Sequence, residues 1–318
     1  MTNNNSQFVG AATCRPLRVC FMGTPDVAAT TLQQLVNSTH EVVCVVTQPD
    51  KAVGRGGRVE FSPVKKLALE LGLPVFQPAK ISTELDLLDP YKPDVIVTCA
   101  FGQILRQNVL DYAPHGVINV HYSLLPKYRG SSPVQWAIMN GETVTGVTVA
   151  KTELALDSGD IILVEKAEIS PTETAGELLT RLAPIGAKLL IKALDKLKES
   201  DSDLFTPQDH AAATHFPMLK KEDGRIDWSK SANEIANQVR AMNPWPVAYF
   251  MAKGEVIRVY QASIVAGNLP PVATARNLLV KCGDGNFLSL EKLQAPGGKV
   301  LSVRDFLNGR RITAEDIT

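Results

Sequence analysis

The sequence predicts an α/β chain, with a doubly wound and mostly parallel sheet in its longer N-terminal part and a small β-barrel or sandwich after it. Three observations carry this. Between about residues 17 and 121, short β-branched runs alternate with helical stretches. Those runs are almost continuously apolar, as strands covered on both faces must be. After residue 224, short strands are broken by Gly and Pro turns at close intervals.

The elements follow in order. Residues 17–23 (LRVCFMG), 41–47 (EVVCVVT), 94–100 (DVIVTCA) and 116–121 (GVINVH) are the parallel strands. Helices are expected over 26–37, 62–71 and 103–111; Ser62 as N-cap with Pro63 at the first helical position marks the second. Residues 144–169 read as antiparallel strands, one through Val147, Thr148 and Val149 and the other over 161–168, before a long helix over 174–199. Residues 200–217 carry Asp, Ser, Pro and His without periodicity and read as a linker. A helix over 231–242 then leads into the turn Asn243-Pro244-Trp245-Pro246, where Trp245 reads as a packed corner. The domain scheme is a loose tail (1–16), a first domain (17–199), a linker (200–217) and a second domain (218–318).

With 318 residues, 45% hydrophobic and 21% charged, the chain holds enough apolar material for two cores. No apolar run approaches the roughly 18 residues of a membrane helix, and the Asn-rich start has no secretory h-region. A cytoplasmic, monomeric protein is expected. Five cysteines (14, 20, 44, 99, 282) form no C-x-x-C pair, and Cys20, Cys44 and Cys99, inside apolar strand-like runs, read as buried reduced thiols. His210 and His215 have no other ligand types beside them, so no metal is expected. Zero net charge argues against a generic nucleic-acid binder. Residues 218–318, however, hold 14 basic and 10 acidic residues, a surplus that hints at a polyanionic partner.

Ligands of an open parallel sheet bind beyond the carboxyl ends of its strands, where the strand order reverses. The first strand is followed by Gly23-Thr24-Pro25-Asp26 rather than G-x-G-x-x-G, and no phosphate loop occurs, which removes nicotinamide, flavin and P-loop readings. The strand at 116–121 ends in Asn119, Val120 and His121, so an amide and an imidazole project to one side together. Either satisfied core polars or a site would look this way. Asp157, in Asp157-Ser158-Gly159-Asp160, is either a plain turn residue or the carboxylate that orients His121. The loop 49–66 carries Lys51, Arg55, Arg58, Lys65 and Lys66 among three glycines and reads as a phosphate clamp or a solvated loop.

Together these residues resemble the methionyl-tRNA formyltransferase family. The likeness runs through GTPD (23–26), TQPDKAVGRGGRVEFSPVK (47–65), AFGQIL (100–105), NVHYSLLPKYRGSSPVQWAI (119–138), TGVTV (145–149), LDSGDI (156–161), RIDW (225–228) and RAMNPWP (240–246). The N-x-H-x-S-L-L-P core is common to folate-dependent formyltransferases. The GTPD start and the basic glycine loop are what single out the tRNA-directed members from small-amine formyltransferases and formyl-folate hydrolases. A non-catalytic RNA-binding relative is the reading from another class, but Asn119, His121 and Asp157 are all present.

The resemblance implies a Rossmann-like formyltransferase domain followed by an OB-like barrel that grips tRNA. It implies 10-formyltetrahydrofolate as formyl donor, initiator methionyl-tRNA as acceptor, and a role in translation initiation. Asn119, His121 and Asp157 are the implied catalytic residues, with Asn119 and His121 donating to the developing oxyanion and Asp157 orienting the ring. Ser123, Leu124, Leu125 and Pro126, with Gly102, Gln103 and Ile104, are implied to hold the folate; Arg55, helped by Lys51 and Arg58, the tRNA. The chain departs from the pattern at Val27, where the family has Phe, at Ala155, where it has Gly before the aspartate, and at Pro270-Pro271-Val272-Ala273-Thr274, where it has a P-G-T turn.

Overall fold

The computed structural model describes residues 15–53, 58–199, 204–267 and 277–317. The chain divides into two compact units. The first comprises the chain through Ile118 with Leu190–Thr206, and the second Asn119–Leu189 with everything from Pro207 onward.

In the first unit the chain runs β1 (Arg18–Gly23), α1 (Asp26–Val36), β2 (Glu41–Val46), β3 (Lys51–Val53), β4 (Arg58–Glu60), α2 (Pro63–Glu70), β5 (Val75–Phe76), β6 (Val95–Cys99) and α3 (Gln107–Leu110), and then enters β7 (Val117–His121). The spatial order is β5-β2-β1-β6, all parallel. β6 is buried at every position and β1 at five of its six, which is why both read as unbroken apolar runs. Ser62 caps α2 by accepting from Lys65 N at 3.1 Å, with Pro63 at the first position. The strand order reverses between β1 and β6. Thr24 Oγ1, just past β1, bonds the Phe101 carbonyl just past β6 at 3.0 Å, so this is where the ligand crevice of such a sheet belongs.

The helix expected over 103–111 shrinks to Gln107–Leu110. Arg106 is extended at the N-cap and Gly102 has φ +83°, so the chain leaves β6 as a loop. On that loop Ile104 is 90% exposed, while Leu105 packs against the core.

The second unit begins in β7 and continues through β8 (Arg129–Gly130), α4 (Pro133–Met139), β9 (Val144–Lys151), β10 (Ile161–Glu168), α5 (Ala175–Glu199), which ends in the first unit, β11 (His215–Phe216), α6 (Ala232–Ala241), β12 (Ala248–Ala252), β13 (Glu255–Val265), β14 (Leu278–Lys281), β15 (Phe287–Gln294), β16 (Leu301–Ser302) and α7 (Val303–Asn308). β9 and β10 pair antiparallel, as the sequence predicts. Gly186 brings α5 against Val120, Tyr122 and Val147, a spacing that leaves little room for even a methyl group.

The C-terminal sheet is antiparallel, ordered β12-β13-β15-β14 with β16 on the other side of β15. Its core joins Phe250, Ile257, Leu288, Leu290 and Leu293 to Ile235, Val239 and Met242 of α6 and its C-cap. A capping box starts α6: Ser231 accepts from Glu234 N, and the Glu234 carboxylate accepts from Ser231 N. The backbone of the 243–247 turn is tied down by bonds from Gly176 N to Asn243 O and from Val247 N to Met242 O. The Trp245 ring is nevertheless 50% exposed, so the expectation of a packed corner holds for the main chain and not for the indole.

Residues 207–217, which lack any sequence periodicity, are tied down by hydrogen bonds and pairing. Thr214 N bonds Pro126 O, Arg129 N bonds Thr214 O, and β11 pairs with β8. Phe216 stacks on Tyr128 at 5.0 Å and meets Trp136 at 5.1 Å.

Glu173, ahead of α5, receives two bonds from Arg181, at 2.9 and 2.8 Å. These bonds hold its carboxyl below the ordinary value of 4.5. The stabilisation is therefore fully present above that value and is lost as pH falls through the lower folded-state value. Glu173→Gln should flatten the fall of melting temperature between about pH 5 and pH 3, read by calorimetry; an unchanged slope would remove the pair from acid stability.

No helix among the described residues is long and apolar enough to cross a membrane, and no group of three His, Cys, Asp or Glu there could hold a metal ion. Cys20, Cys44, Cys99 and Cys282 are buried free thiols; Cys14 lies outside the described residues.

Candidate active site

β7 ends in Asn119, Val120 and His121, and the pleat sends Asn119 and His121 to one side. Asn119 is half-buried and His121 buried. His121 Nε2 stands 2.9 Å from the Tyr128 carbonyl oxygen. A carbonyl can only accept, so Nε2 carries the proton. Nδ1 then faces Asp157 Oδ2 at 3.7 Å. The neutral ring thus has its only N–H committed to Tyr128. Donation from His121 to an oxyanion, expected from sequence, requires the ring first to take a proton at Nδ1.

Asp157 lies in the connection between β9 and β10, closed at its base by Lys151 N to Asp160 O at 2.9 Å. A side chain at Gly159 would overlap the Lys151 carbonyl, so the turn needs glycine there. Ser158 Oγ bonds the Ala155 carbonyl at 2.9 Å. Ala155 is not among the residues of positive φ, so alanine fits where the family has glycine. The residue that does take the left-handed conformation is Asp157 itself, at φ +49°, at a strain of about 1 kcal/mol. Its carboxylate is fixed by Gly130 N, which donates to Oδ2 at 2.8 Å.

Of the expected folate residues in this unit, the structure separates two kinds. Ser123 is wholly buried; its hydroxyl donates to Lys127 O at 2.7 Å, and its carbonyl accepts from Thr148 Oγ1 at 2.7 Å. Leu125 is also buried, and its N donates to Thr148 Oγ1 at 3.2 Å. These two close the loop from within. Leu124 and Pro126 are the half-buried ones, with surface left for a ligand.

Gly102, Gln103 and Ile104 belong to the first unit, beyond β6 at the reversal of strand order. Gln103 spends its side chain on scaffolding: Oε1 accepts from Ile81 N at 2.9 Å and Nε2 donates to Pro78 O at 3.0 Å. What it can offer a ligand is main chain. Gly102 is exposed and Ile104 nearly fully so, an apolar side chain in search of cover.

The basic loop forms the β3–β4 hairpin, with Lys51 opposite Glu60 and Val53 opposite Arg58. Arg55 lies outside the described residues. Lys65 is drawn away from the loop's free charge by an ion pair with Asp50, whose carboxyl is held below its ordinary range by Lys65 and then by Gln77. Val27, at 7% exposure, belongs to the core face of α1. The altered turn at 270–274 also lies outside the described residues.

Sequence reasoning missed Arg129 and Gln208, both 5% exposed and bonded to each other beside the Asp157 loop. Arg129 stands inside the PKYRG string, unassigned. Gln208 was hidden in a stretch with no periodicity.

The Asn/His pair at the end of β7, with a carboxylate beside the imidazole, suits proton handling in group transfer, and the comparisons give the class: a transferase of formyl groups. Residues 17–194 match the family model described as formyl transferase, and residues 218–311 match its C-terminal domain; the chain belongs to this family. It is 45% identical over 302 residues to a methionyl-tRNA formyltransferase of Koribacter versatilis, covering 93% of this chain and 96% of that one. It is 43% identical over 311 residues to a methionyl-tRNA formyltransferase of Desulfotalea psychrophila, covering 95% and 96%. Among solved structures, an N-formyltransferase of Helicobacter canadensis in complex with folinic acid and dTDP-3-aminofucose shares the fold, with a TM-score of 0.67 at 18% identity over 88% of this chain and 99% of that one.

Proposed function

We propose that this chain transfers the formyl group of 10-formyltetrahydrofolate to the free amine of initiator methionyl-tRNA, a step of translation initiation. The observation that carries the reading is near-full-length likeness, at 41–45% identity, to proteins named for that reaction. The folate supplies a formyl group already bonded to nitrogen, so no covalent relay through the protein is required.

The residues then divide the work. Asn119 presents an amide donor to the formyl oxygen as the amine attacks; one such donor is worth about 3–4 kcal/mol in the transition state. His121 receives at Nδ1 the proton that the attacking amine sheds, and the same nitrogen returns it to the departing folate nitrogen. Asp157 stabilises the ring while it carries that proton. Gly130 N keeps the carboxylate pointed at the ring. Leu124, Pro126 and Ile104 supply apolar contact to the folate, and the main chain at Gly102 and Gln103 supplies polar contact.

Arg55, Lys51 and Arg58 take phosphates of the tRNA, and the basic surplus of 218–318 favours the same partner. On this reading 17–199 is the catalytic domain, 200–217 connects, 218–318 grips tRNA, and the protein acts as a cytoplasmic monomer.

The test is formyl transfer from 10-formyltetrahydrofolate to initiator methionyl-tRNA, with elongator methionyl-tRNA and no-tRNA controls. Formylated product with the initiator alone is expected. Folate turnover without tRNA would replace this reading with a hydrolase or small-amine transferase.

A further inference from the structure

Every polar atom of the Gln208 amide is engaged, and the side chain is buried. Its Nε2 donates to the main-chain carbonyls of Asp157, at 2.9 Å, and Gly159, at 2.6 Å. Its Oε1 accepts from Arg129 Nε at 3.2 Å and Nη2 at 2.7 Å. Arg129 Nη2 also donates to His210 Nδ1 at 3.0 Å. A guanidinium only donates, so it fixes which end of the amide faces it and leaves the NH2 end to the two carbonyls. Asp157 is thereby held on two sides. Gly130 N takes its carboxylate, Gln208 takes its main chain, and both supports issue from consecutive residues, Arg129 and Gly130, on a strand paired to β11.

We propose that Gln208 is a positioning residue for formyl transfer, with the buried Arg129 guanidinium orienting it. The amide holds Asp157 in its left-handed conformation, and that conformation aims the carboxylate at His121 Nδ1. Gln208 touches neither reacting atom nor substrate; it acts through Asp157. The inference rests on the proposed role of the His121–Asp157 pair. It assigns to the stretch between the two family segments a part in catalysis rather than in connection alone.

Gln208→Glu tests it at constant volume. The carboxylate keeps an acceptor for Arg129 but turns both donations to Asp157 and Gly159 into repulsion between oxygens. Steady-state formylation by the full chain should show kcat lower by about 10–100-fold, by analogy with residues that orient metal ligands through a hydrogen bond. KM for the folate and for methionyl-tRNA should stay within about threefold. Gln208→Ala is the second variant, with melting temperatures recorded for both.

A double-mutant cycle separates positioning from general damage. Added to Asp157→Asn, Gln208→Glu should lower kcat by less than about threefold further, because its route of action is already broken. Wild-type kcat in Gln208→Glu, a rise in KM alone, or full multiplication of the two losses would each overturn the inference. Wild-type kcat in Asp157→Asn alone would instead overturn the His121–Asp157 reading beneath it.

Discussion

His121→Ala is expected to lower kcat for formyl transfer by about 10²–10⁴-fold, with KM for both substrates within about threefold. The size follows from the geometry. In the neutral ring the only N–H goes to Tyr128 O at 2.9 Å, so Nδ1 is the atom that can receive a proton, with Asp157 Oδ2 at 3.7 Å to balance its charge. No other titratable ring stands on β7. Alanine removes the carrier without opening a charge to the core, because Asp157 keeps its bond from Gly130 N. Single-turnover formylation at saturating folate is the measurement, since it excludes product release. His121→Ala at more than about a tenth of the wild-type rate would transfer the proton step to another group. Asn119→Ala should lose about 10²–10³-fold, and its effect should not depend on pH, because an amide does not titrate across this range.

Why the two losses should differ in character returns to how the site is made. The strand end was readable because Asn119 and His121 sit two apart on an apolar strand, and the period of a strand is two. The reversal of strand order was anticipated as the place to look, and Thr24 and Phe101 meet there. The parallel strands were legible for a simple reason: double coverage leaves no polar face to confuse the pattern.

What escaped the sequence has physical causes as well. Apolar residues at 103–106 mimic a helix start, but a glycine at φ +83° and an extended Arg106 turn the chain into a loop. Ser123 sits in the middle of a ligand-like motif and yet is spent on the loop's own hydrogen bonds, which no residue pattern distinguishes from a ligand contact. Gln208 and Thr214 act by hydrogen bonds to residues some fifty to ninety positions away. Such contacts have no period, so a segment held only by them reads as a linker. The tautomer of His121 depends on the carbonyl of Tyr128, a group every residue carries, and only the fold brings it within reach.

Gly130→Ala is expected to harm the scaffold itself. Gly130 has φ +106°, a conformation that L side chains rarely adopt, and a Cβ there would overlap the Phe216 carbonyl oxygen. Relief requires β8 and β11 to part, which would pull Phe216 from its stack on Tyr128 and shift the N–H that holds Asp157. Strain and overlap together should destabilise by about 2–4 kcal/mol, or roughly 5–15 °C in melting temperature for a unit of this size. Gly254→Ala is the matched control: φ is +79°, but nothing lies within 4 Å of the new methyl group. It carries the conformational term without the overlap and should cost about 1 kcal/mol, with activity unchanged. Assayed well below both melting points, Gly130→Ala should also lose kcat, because the bond it disturbs ends on the Asp157 carboxylate. Equal melting temperatures for the two variants would mean that β11 yields without resistance, and the docking of 207–217 would then be too loose to set the geometry of the aspartate.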